Sequence, residues 1–266
     1  MTGRPATTWG TSITPGNNTF PAYTEILGNT AYDCFGIAIF VHTIGSSGAA
    51  KDMLLTIGID HTGGTTYTSC EISNLMCSSA GTLVTGGIWY YFPLYIPEGS
   101  AIAAKMSCSN ATVGTGRVGV ILYGRPTRPE LVRAGAYVDN FGATTASSRG
   151  TTITAGTASE GAWTEMTSGT TTRSYWWFQV GWGSFDISLG SAIYAMDLSV
   201  GDATNKELVI EDHLIINAGT TEQVVKPFIP GEPTCDVKDG QRIYVRLQCS
   251  TTADTDLSMM AYALGG

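Results

Sequence analysis

The sequence lacks most of the groups that hydrolytic and metal-dependent sites require. Its histidines, His42, His61 and His213, are isolated from one another, and none lies in a catalytic-triad, nucleophile-elbow or zinc-protease pattern. Its cysteines form no Cys-x-x-Cys pair and have no histidine at zinc-ligand spacing. The glycine-rich stretches precede no predicted helix, which excludes a phosphate-binding loop. We therefore predict no enzymatic activity, no bound metal and no cofactor.

Basic residues and long apolar runs are also scarce. The chain has 14 Lys and Arg residues against 22 Asp and Glu residues, a formal net charge of −8. A sequence-independent nucleic-acid binder masses Lys and Arg against phosphates, so this balance disfavours one, and it offers no basic anchor for an acidic membrane. No signal peptide follows Met1, and no stretch approaches the length of a membrane span. We expect a soluble protein that is made in a cytoplasm and contacts neither nucleic acid nor membrane.

What the sequence does contain is an internal repeat with an offset of about 140 residues. Residues 10–16 reappear as 150–156, and 96–109 align with 237–250. Two copies of one unit favour a structural building block, because an enzyme usually keeps one competent site. We predict a first β-sandwich at 1–126 and a second at 148–266, joined by a proline-stiffened linker and extended arm at 127–147.

Composition and periodicity predict strands throughout. The chain has 33 Gly residues and 14% charged residues, and short alternating runs are interrupted by turn residues. Since there is no room for crossover helices, we predict an all-β protein of two tandem antiparallel β-sandwich domains from an internal duplication, jelly-roll-like in preference to immunoglobulin-like. The segment 206–216 resembles a helix, but 210–220 align without gaps on 72–82, a poor helix sequence. We predict a strand there.

Two aromatic runs are the strongest candidates for a contact surface. They comprise Trp89, Tyr90, Tyr91 and Phe92 in the first half, and Tyr175, Trp176, Trp177 and Phe178 in the second. Each run places bulky side chains on both faces of a strand, whereas a solvated sandwich needs them on one face. We favour a contact between the halves or between subunits, because aromatic residues anchor interfaces. A sugar-binding platform and side chains that lie over a loop are the alternatives.

The cysteines fall into two groups. Cys108 and Cys249 occupy the same repeat position inside alternating strands, which favours buried free thiols. The others differ between the halves and are candidates for disulfides under oxidising conditions, with connectivity open: Cys34, Cys70, Cys77 and Cys235.

Glu25 and Glu165 match between the halves and could suggest a pair of catalytic acids. Two domains that each supply one acid need not bring them face to face. We favour carboxylates that accept hydrogen bonds from turn amides.

The stretch 9–19, its second copy and the Gly, Thr and Ser-rich β composition resemble virion proteins of tailed bacteriophages. This resemblance implies a non-enzymatic protein that assembles in rings or symmetric clusters. It implies head decoration, a collar or a neck, with major capsid, neck or tail proteins and further copies of the chain as partners. The location is then the virion, assembled in the host cytoplasm. The alternative is a tail-fibre or receptor-binding component that contacts host glycans.

Overall fold

The computed structural model describes residues 10–42, 53–77, 88–109, 115–124, 133–142, 145–148, 150–157, 159–184, 192–217, 236–250 and 257–266. Every regular element within these ranges is a β-strand. The prediction of an all-β protein is confirmed. Among the described residues there is no helix with the length and apolarity needed to cross a membrane.

The first half of the chain forms two sheets. Its strands are β1 Thr11–Ile13, β2 Gly16–Asn17, β3 Thr24–Leu27, β4 Cys34–His42, β5 Met53–Asp60, β6 Cys70–Met76, β7 Ile88–Phe92, β8 Ala101–Cys108 and β9 Gly116–Gly124. Sheet 1 has the order β1-β9-β4-β7. Sheet 2 has the order β2-β8-β5-β6, with β3 also paired to β8. All these pairings are antiparallel except the short β2–β8 pair.

The second half repeats this plan. Its strands are β10 Tyr137–Phe141, β11 Thr151–Ile153, β12 Thr164–Glu165, β13 Trp177–Ser184, β14 Ala192–Gly201, β15 Lys206–Asn217, β16 Arg242–Cys249 and β17 Leu257–Gly265. In sheet 3, β17 pairs with β10, β11 and β13. Sheet 4 has the order β12-β16-β14-β15. The predicted strand at 206–216 is confirmed as β15.

The strand orders of sheets 1 and 2 are those of a jelly roll, in which the chain crosses repeatedly between two sheets. Each half buries the inward side chains of its two sheets, as strand periodicity requires. In the first half Ile37, Ile39, Leu55 and Ile57 are fully buried. The predicted jelly-roll-like sandwiches are therefore confirmed.

The duplication is visible in individual hydrogen bonds. The carbonyl oxygen of Thr30 accepts a bond of 2.9 Å from the Gly99 amide, and that of Thr171 accepts one of 2.8 Å from the Gly240 amide. The two glycines have φ of 85° and 82°, a left-handed conformation that favours glycine. The turn before β8 in sheet 2 and the turn before β16 in sheet 4 are therefore equivalent in the two copies of the repeat.

The chain divides into two compact units. Unit 1 comprises Met1–Asp139, Thr145–Ser147 and Leu264–Gly266, and unit 2 comprises Asn140–Thr144 and Ser148–Ala263. The short segment Thr145–Ser147 thus belongs to unit 1, although it lies between two strands of the second half.

Candidate interface surface

Strand β7 separates the first aromatic run between two environments. Tyr90 and Phe92 are buried in the sandwich core, and their rings stack at 6.4 Å between centroids. The Tyr90 hydroxyl donates a hydrogen bond of 2.6 Å to the Met76 carbonyl oxygen. Trp89 lies on the opposite, outer face of sheet 1 and is 50% exposed. Tyr91 shares that face and is half-buried.

The outer face of sheet 1 carries further rings that the sequence patterns did not identify. Phe40 is the cross-strand partner of Trp89, with ring centroids 5.2 Å apart. Tyr123 contacts Tyr91 edge-on at 5.6 Å and is 49% exposed. We name these four residues, Phe40, Trp89, Tyr91 and Tyr123, the aromatic face. Their signal in the sequence was the alternation of β4 and β9, whose outward positions include Phe40 and Tyr123.

Two glycines make room for rings of the aromatic face over the sheet. A Cβ added to Gly119 would collide with the Phe40 ring, and one added to Gly36 would lie 2.8 Å from the Tyr91 hydroxyl oxygen. Aromatic rings that cover glycines in a neighbouring strand are a known way to stabilise a sheet. Burial, and secondarily the neighbouring Tyr123, raise the pKa of Tyr91. The aromatic face is therefore a largely apolar surface of rings, two of which pack over glycines of neighbouring strands.

The second aromatic run lies in a different environment. Tyr175, Trp177 and Phe178 are buried, and Trp176 is partly buried. The Tyr175 ring contacts Phe141 at 5.6 Å and Phe178 at 6.4 Å. These rings form part of the packing within unit 2. The prediction that they form a contact between the halves or between subunits stays a prediction.

A polar cluster is repeated on the outer faces of sheets 2 and 4. In sheet 2, the Lys105 ammonium lies 4.3 Å from the Tyr23 ring centroid and 3.1 Å from a Glu71 carboxylate oxygen. In sheet 4, the Arg246 guanidinium lies 4.4 Å from the Trp163 ring centroid, and such cation–π contacts stabilise modestly. The two cations occupy equivalent positions, so the duplication has kept a cation over an aromatic ring.

The cluster in sheet 4 is the more strongly charged of the two. Arg246 donates hydrogen bonds of 2.8 and 2.6 Å to Asp197, which is 2% exposed, and also pairs with Glu160. Burial raises the pKa of Glu160, and its hydrogen bond to Asp197 adds to this effect. Burial opposes ionisation of Asp197 as well, but the backbone amide of Asp212 and Arg246 together hold its pKa below the usual value. Oxygens of the Glu160, Asp197 and Asp212 carboxylates lie within 4.8 Å of one another, and Arg246 offsets part of their negative charge.

The matched acids Glu25 and Glu165 lie in different units. Glu165 accepts a hydrogen bond of 2.7 Å from the Gly169 amide and pairs with Arg242. Burial opposes ionisation, but the Arg242 and Gly169 bonds lower the Glu165 pKa. Glu25 accepts a bond of 3.3 Å from the Tyr67 hydroxyl. The interpretation of Glu165 as an acceptor for a turn amide is confirmed.

The described cysteines are buried. Cys108 and Cys249 are fully buried, as predicted from their shared repeat position. Cys34, Cys70 and Cys77 are also buried. Burial raises the pKa of Cys34 and of Cys77, which lowers their thiolate fraction. Cys235 lies outside the described residues, and a disulfide role for these four cysteines stays a prediction.

No protein-family model and no curated protein matches the chain. Among solved structures, the STIV MCP is similar with a TM-score of 0.40 and 10% identity, over 96% of this chain and 93% of that one. Infectious bursal disease virus, Gx strain, gives a TM-score of 0.26 and 11% identity, over 96% and 68%. The CBM22 tandem domain from Paenibacillus barcinonensis Xyn10C gives 0.25 and 11%, over 92% and 85%. The first two are viral capsid proteins, and at these TM-scores the likeness carries no argument about function.

Proposed function

We propose that this chain is a non-enzymatic structural protein of a bacteriophage virion that bridges neighbouring subunits as a head decoration, collar or neck protein. The observation that carries the proposal is the aromatic face of unit 1. A group of packed rings, two of them about half exposed, is the type of surface that anchors protein interfaces.

The duplication supports a bridging role. Two related sandwiches in one chain present similar scaffolds, so that one chain can contact two neighbouring subunits. Linking two weak contacts raises the effective concentration for the second contact. A bridging protein therefore gains affinity without any single strong site.

The test uses particles that lack the protein and purified chain added back. We expect the intact chain to co-sediment with the particles and the variant Trp89→Ser/Tyr123→Ser to lose at least about tenfold in affinity, as for interface anchors. Leu208→Ser is the matched control, because Leu208 is an apolar residue with 44% exposure outside the aromatic face. Equal binding by all three proteins would refute the role of the aromatic face.

Location and copy number in purified virions separate the detailed roles. Decoration of a head requires hundreds of copies, a collar or neck about a dozen, and a fibre a few trimers. Absence of the chain from virions would refute the proposal as a whole. Trp89 and Tyr123 also have the exposed rings that sugars stack on, so a glycan array that detects binding would favour the receptor-binding alternative.

A further inference from the structure

We propose that the first residues of this chain, centred on Ala6, dock on an uncovered patch of unit 2 in a second copy of the chain. The proposal goes beyond the virion role and does not depend on it. It comes from a contact that is made on the first half of the chain and not on the equivalent part of the second half.

Three neighbouring side chains on the outer face of sheet 2 are covered. Leu54 on β5 is the cross-strand partner of Ser107 on β8 and of Met76 on β6, and all three residues are buried. The Ser107 hydroxyl donates a hydrogen bond of 2.6 Å to the carbonyl oxygen of Ala146. Ala146 lies in Thr145–Ser147, the segment that belongs to unit 1. This segment therefore lies over Ser107 on the outer face of sheet 2.

The equivalent positions in sheet 4 are uncovered. Ala195 pairs with Gln248 across β14 and β16 and with Leu214 across β14 and β15, in the same register. Leu214 is 66% exposed, whereas its counterpart Met76 is 0% exposed. Ile193, two residues before Ala195 on the same face, is also exposed. We name Ile193, Ala195, Leu214 and Gln248 the uncovered patch.

The sequence contains a second copy of the covering segment. Residues 145–150 read Thr-Ala-Ser-Ser-Arg-Gly, and residues 5–10 read Pro-Ala-Thr-Thr-Trp-Gly. Ala6 thus corresponds to Ala146, and Thr8 corresponds to Ser148. The Ser148 hydroxyl accepts a hydrogen bond of 3.3 Å from the Gly150 amide, which a threonine hydroxyl can also accept.

Both copies enter their first strand through the same backbone conformation. Gly10 and Gly150 have φ of 110° and 107°. A Cβ added to Gly10 would lie 2.7 Å from the Val118 carbonyl oxygen, and one added to Gly150 would lie 2.5 Å from the Met259 carbonyl oxygen. Val118 and Met259 are equivalent in the two halves. Such close approaches require glycine. Gly10 therefore enters β1 in the backbone conformation with which Gly150 enters β11.

These observations identify the occupant of the uncovered patch. The segment before β11 lies over the equivalent patch on the outer face of sheet 2. By the repeat, the segment before β1 should lie over the uncovered patch of sheet 4. That patch is free on unit 2 of each chain. The contact between copies closes into a reciprocal dimer or a ring, or it propagates as a filament.

Crosslinking between differently tagged chains tests the contact. One full-length chain carries Ala6→Cys and a tag that increases its mass, and the other carries Gln248→Cys, the counterpart of Ser107. After mixing and oxidation, a non-reducing gel should show a heterodimer. The controls are the unsubstituted pair and the pair Ala6→Cys with Leu208→Cys, since Leu208 is exposed on β15 but lies outside the uncovered patch. Both controls should give none.

Sedimentation gives the second measurement. Deletion of residues 2–8 should reduce the oligomer of the intact chain to a monomer with unchanged β-type circular dichroism. Absence of the heterodimer, or an oligomer that survives the deletion, would overturn the proposal. A chain with both Ala6→Cys and Gln248→Cys that crosslinks only within itself would also overturn it, because the segment would then bind its own unit 2. Loss of particle binding without loss of the heterodimer would affect the virion role alone.

Discussion

Sheets 1 and 3 occupy equivalent positions in the two halves, but their outer faces differ in exposure. The outward positions of β9 include Gly119, Ile121 and Tyr123, and the face around them is partly exposed. The equivalent positions of β17 include Met260 and Tyr262, which are fully buried within the single chain. The outer face of sheet 1 is therefore available for contact, whereas the described outward residues of β17 in sheet 3 are already packed within the chain.

Inward strand positions therefore define the fold, whereas outward strand positions define the contacts. Val118 and Val120 on β9 correspond to Met259 and Ala261 on β17, and all four are buried. An inward apolar residue is required in both copies, because each sandwich must fill its own core. The outward residues diverge freely, because their requirement depends on what lies over each sheet.

Matched truncations on the two outer faces should give the largest difference in stability. We expect Tyr262→Ala to lower the free energy of unfolding by about 3–5 kcal/mol, as for other buried aromatic residues, and Ile121→Ala by about 1 kcal/mol. Urea denaturation followed by circular dichroism measures both. Equal losses would show that the outer face of β17 is not more tightly packed than that of β9.

Breaking the charged cluster of sheet 4 should rank next. Arg246→Leu leaves the buried Asp197 carboxylate without its cation, which we expect to cost about 3 kcal/mol. Lys105→Leu in sheet 2 should cost about 1 kcal/mol, because its partner Glu71 is partly exposed and such pairs contribute little.

The uncharged residue at the equivalent position of sheet 2 provides the control. Thr56 corresponds to Asp197, and its hydroxyl accepts a hydrogen bond from the Asn74 amide as Asp197 accepts one from Asp212. Asp197→Thr combined with Arg246→Leu should therefore recover most of the loss. A double variant no more stable than Arg246→Leu would contradict the explanation by an unpaired charge.

Much of the fold could be predicted from the sequence because the repeat supplies two readings of each element. The helix-like segment 206–216 is an example, since the aligned residues from Ile72 onward favour a strand, and β15 is that strand. The parallel β2–β8 pair and the assignment of Thr145–Ser147 to unit 1 could not be predicted. Both depend on contacts between residues distant in sequence, and neither leaves a periodic pattern.

The candidate surface was predictable only in part. The run at Trp89 was identified from its bulk, but period-two alternation assigns Tyr90 and Phe92 to the core and does not show which neighbours share the outer face. Phe40 joins the aromatic face because β4 lies between β7 and β9 in sheet 1. Strand order is set by packing of the whole sandwich, so local sequence does not contain it.

Acid titration should distinguish two turns that hold their carboxylates differently. Asp60 accepts hydrogen bonds from the Thr62 hydroxyl, the Thr62 amide and the Thr66 amide, and these lower its pKa from 3.8 to about 2. A lowered folded-state pKa adds stability that is complete above the unfolded value and is lost as the pH falls from about 4 to about 2. Asp60→Asn should reduce stability at pH 7 and flatten its decline over that range.

Asp202 lies in the turn between β14 and β15, one residue after Gly201, which is the equivalent of Asp60 in unit 2. Amides of Asn205 and Thr204 lower its pKa, but it is exposed. Asp202→Asn should therefore change the acid dependence less than Asp60→Asn. Unfolding free energies measured in urea at several pH values compare the two, and a larger effect for Asp202→Asn would reverse the assignment.

The smallest expected effect is a gain at the bulge of the second sheet in each half. Asn74 and Asp212 have φ of 55° and 51°, and their amides bond to Thr56 and Asp197. Glycine adopts this conformation at less cost and keeps the amide, so both Asn74→Gly and Asp212→Gly should be tolerated. Asp212→Gly should stabilise the fold by about 1 kcal/mol, because it also removes a carboxylate close to Asp197. Asn74→Gly should stabilise it by less than about 0.5 kcal/mol, because asparagine already tolerates the left-handed region. The gain at Asp212 should shrink in high salt, which screens the repulsion between carboxylates and leaves the backbone contribution unchanged. A salt-independent gain would assign the whole effect to the backbone, and the two halves would then differ in charge without any cost to the second.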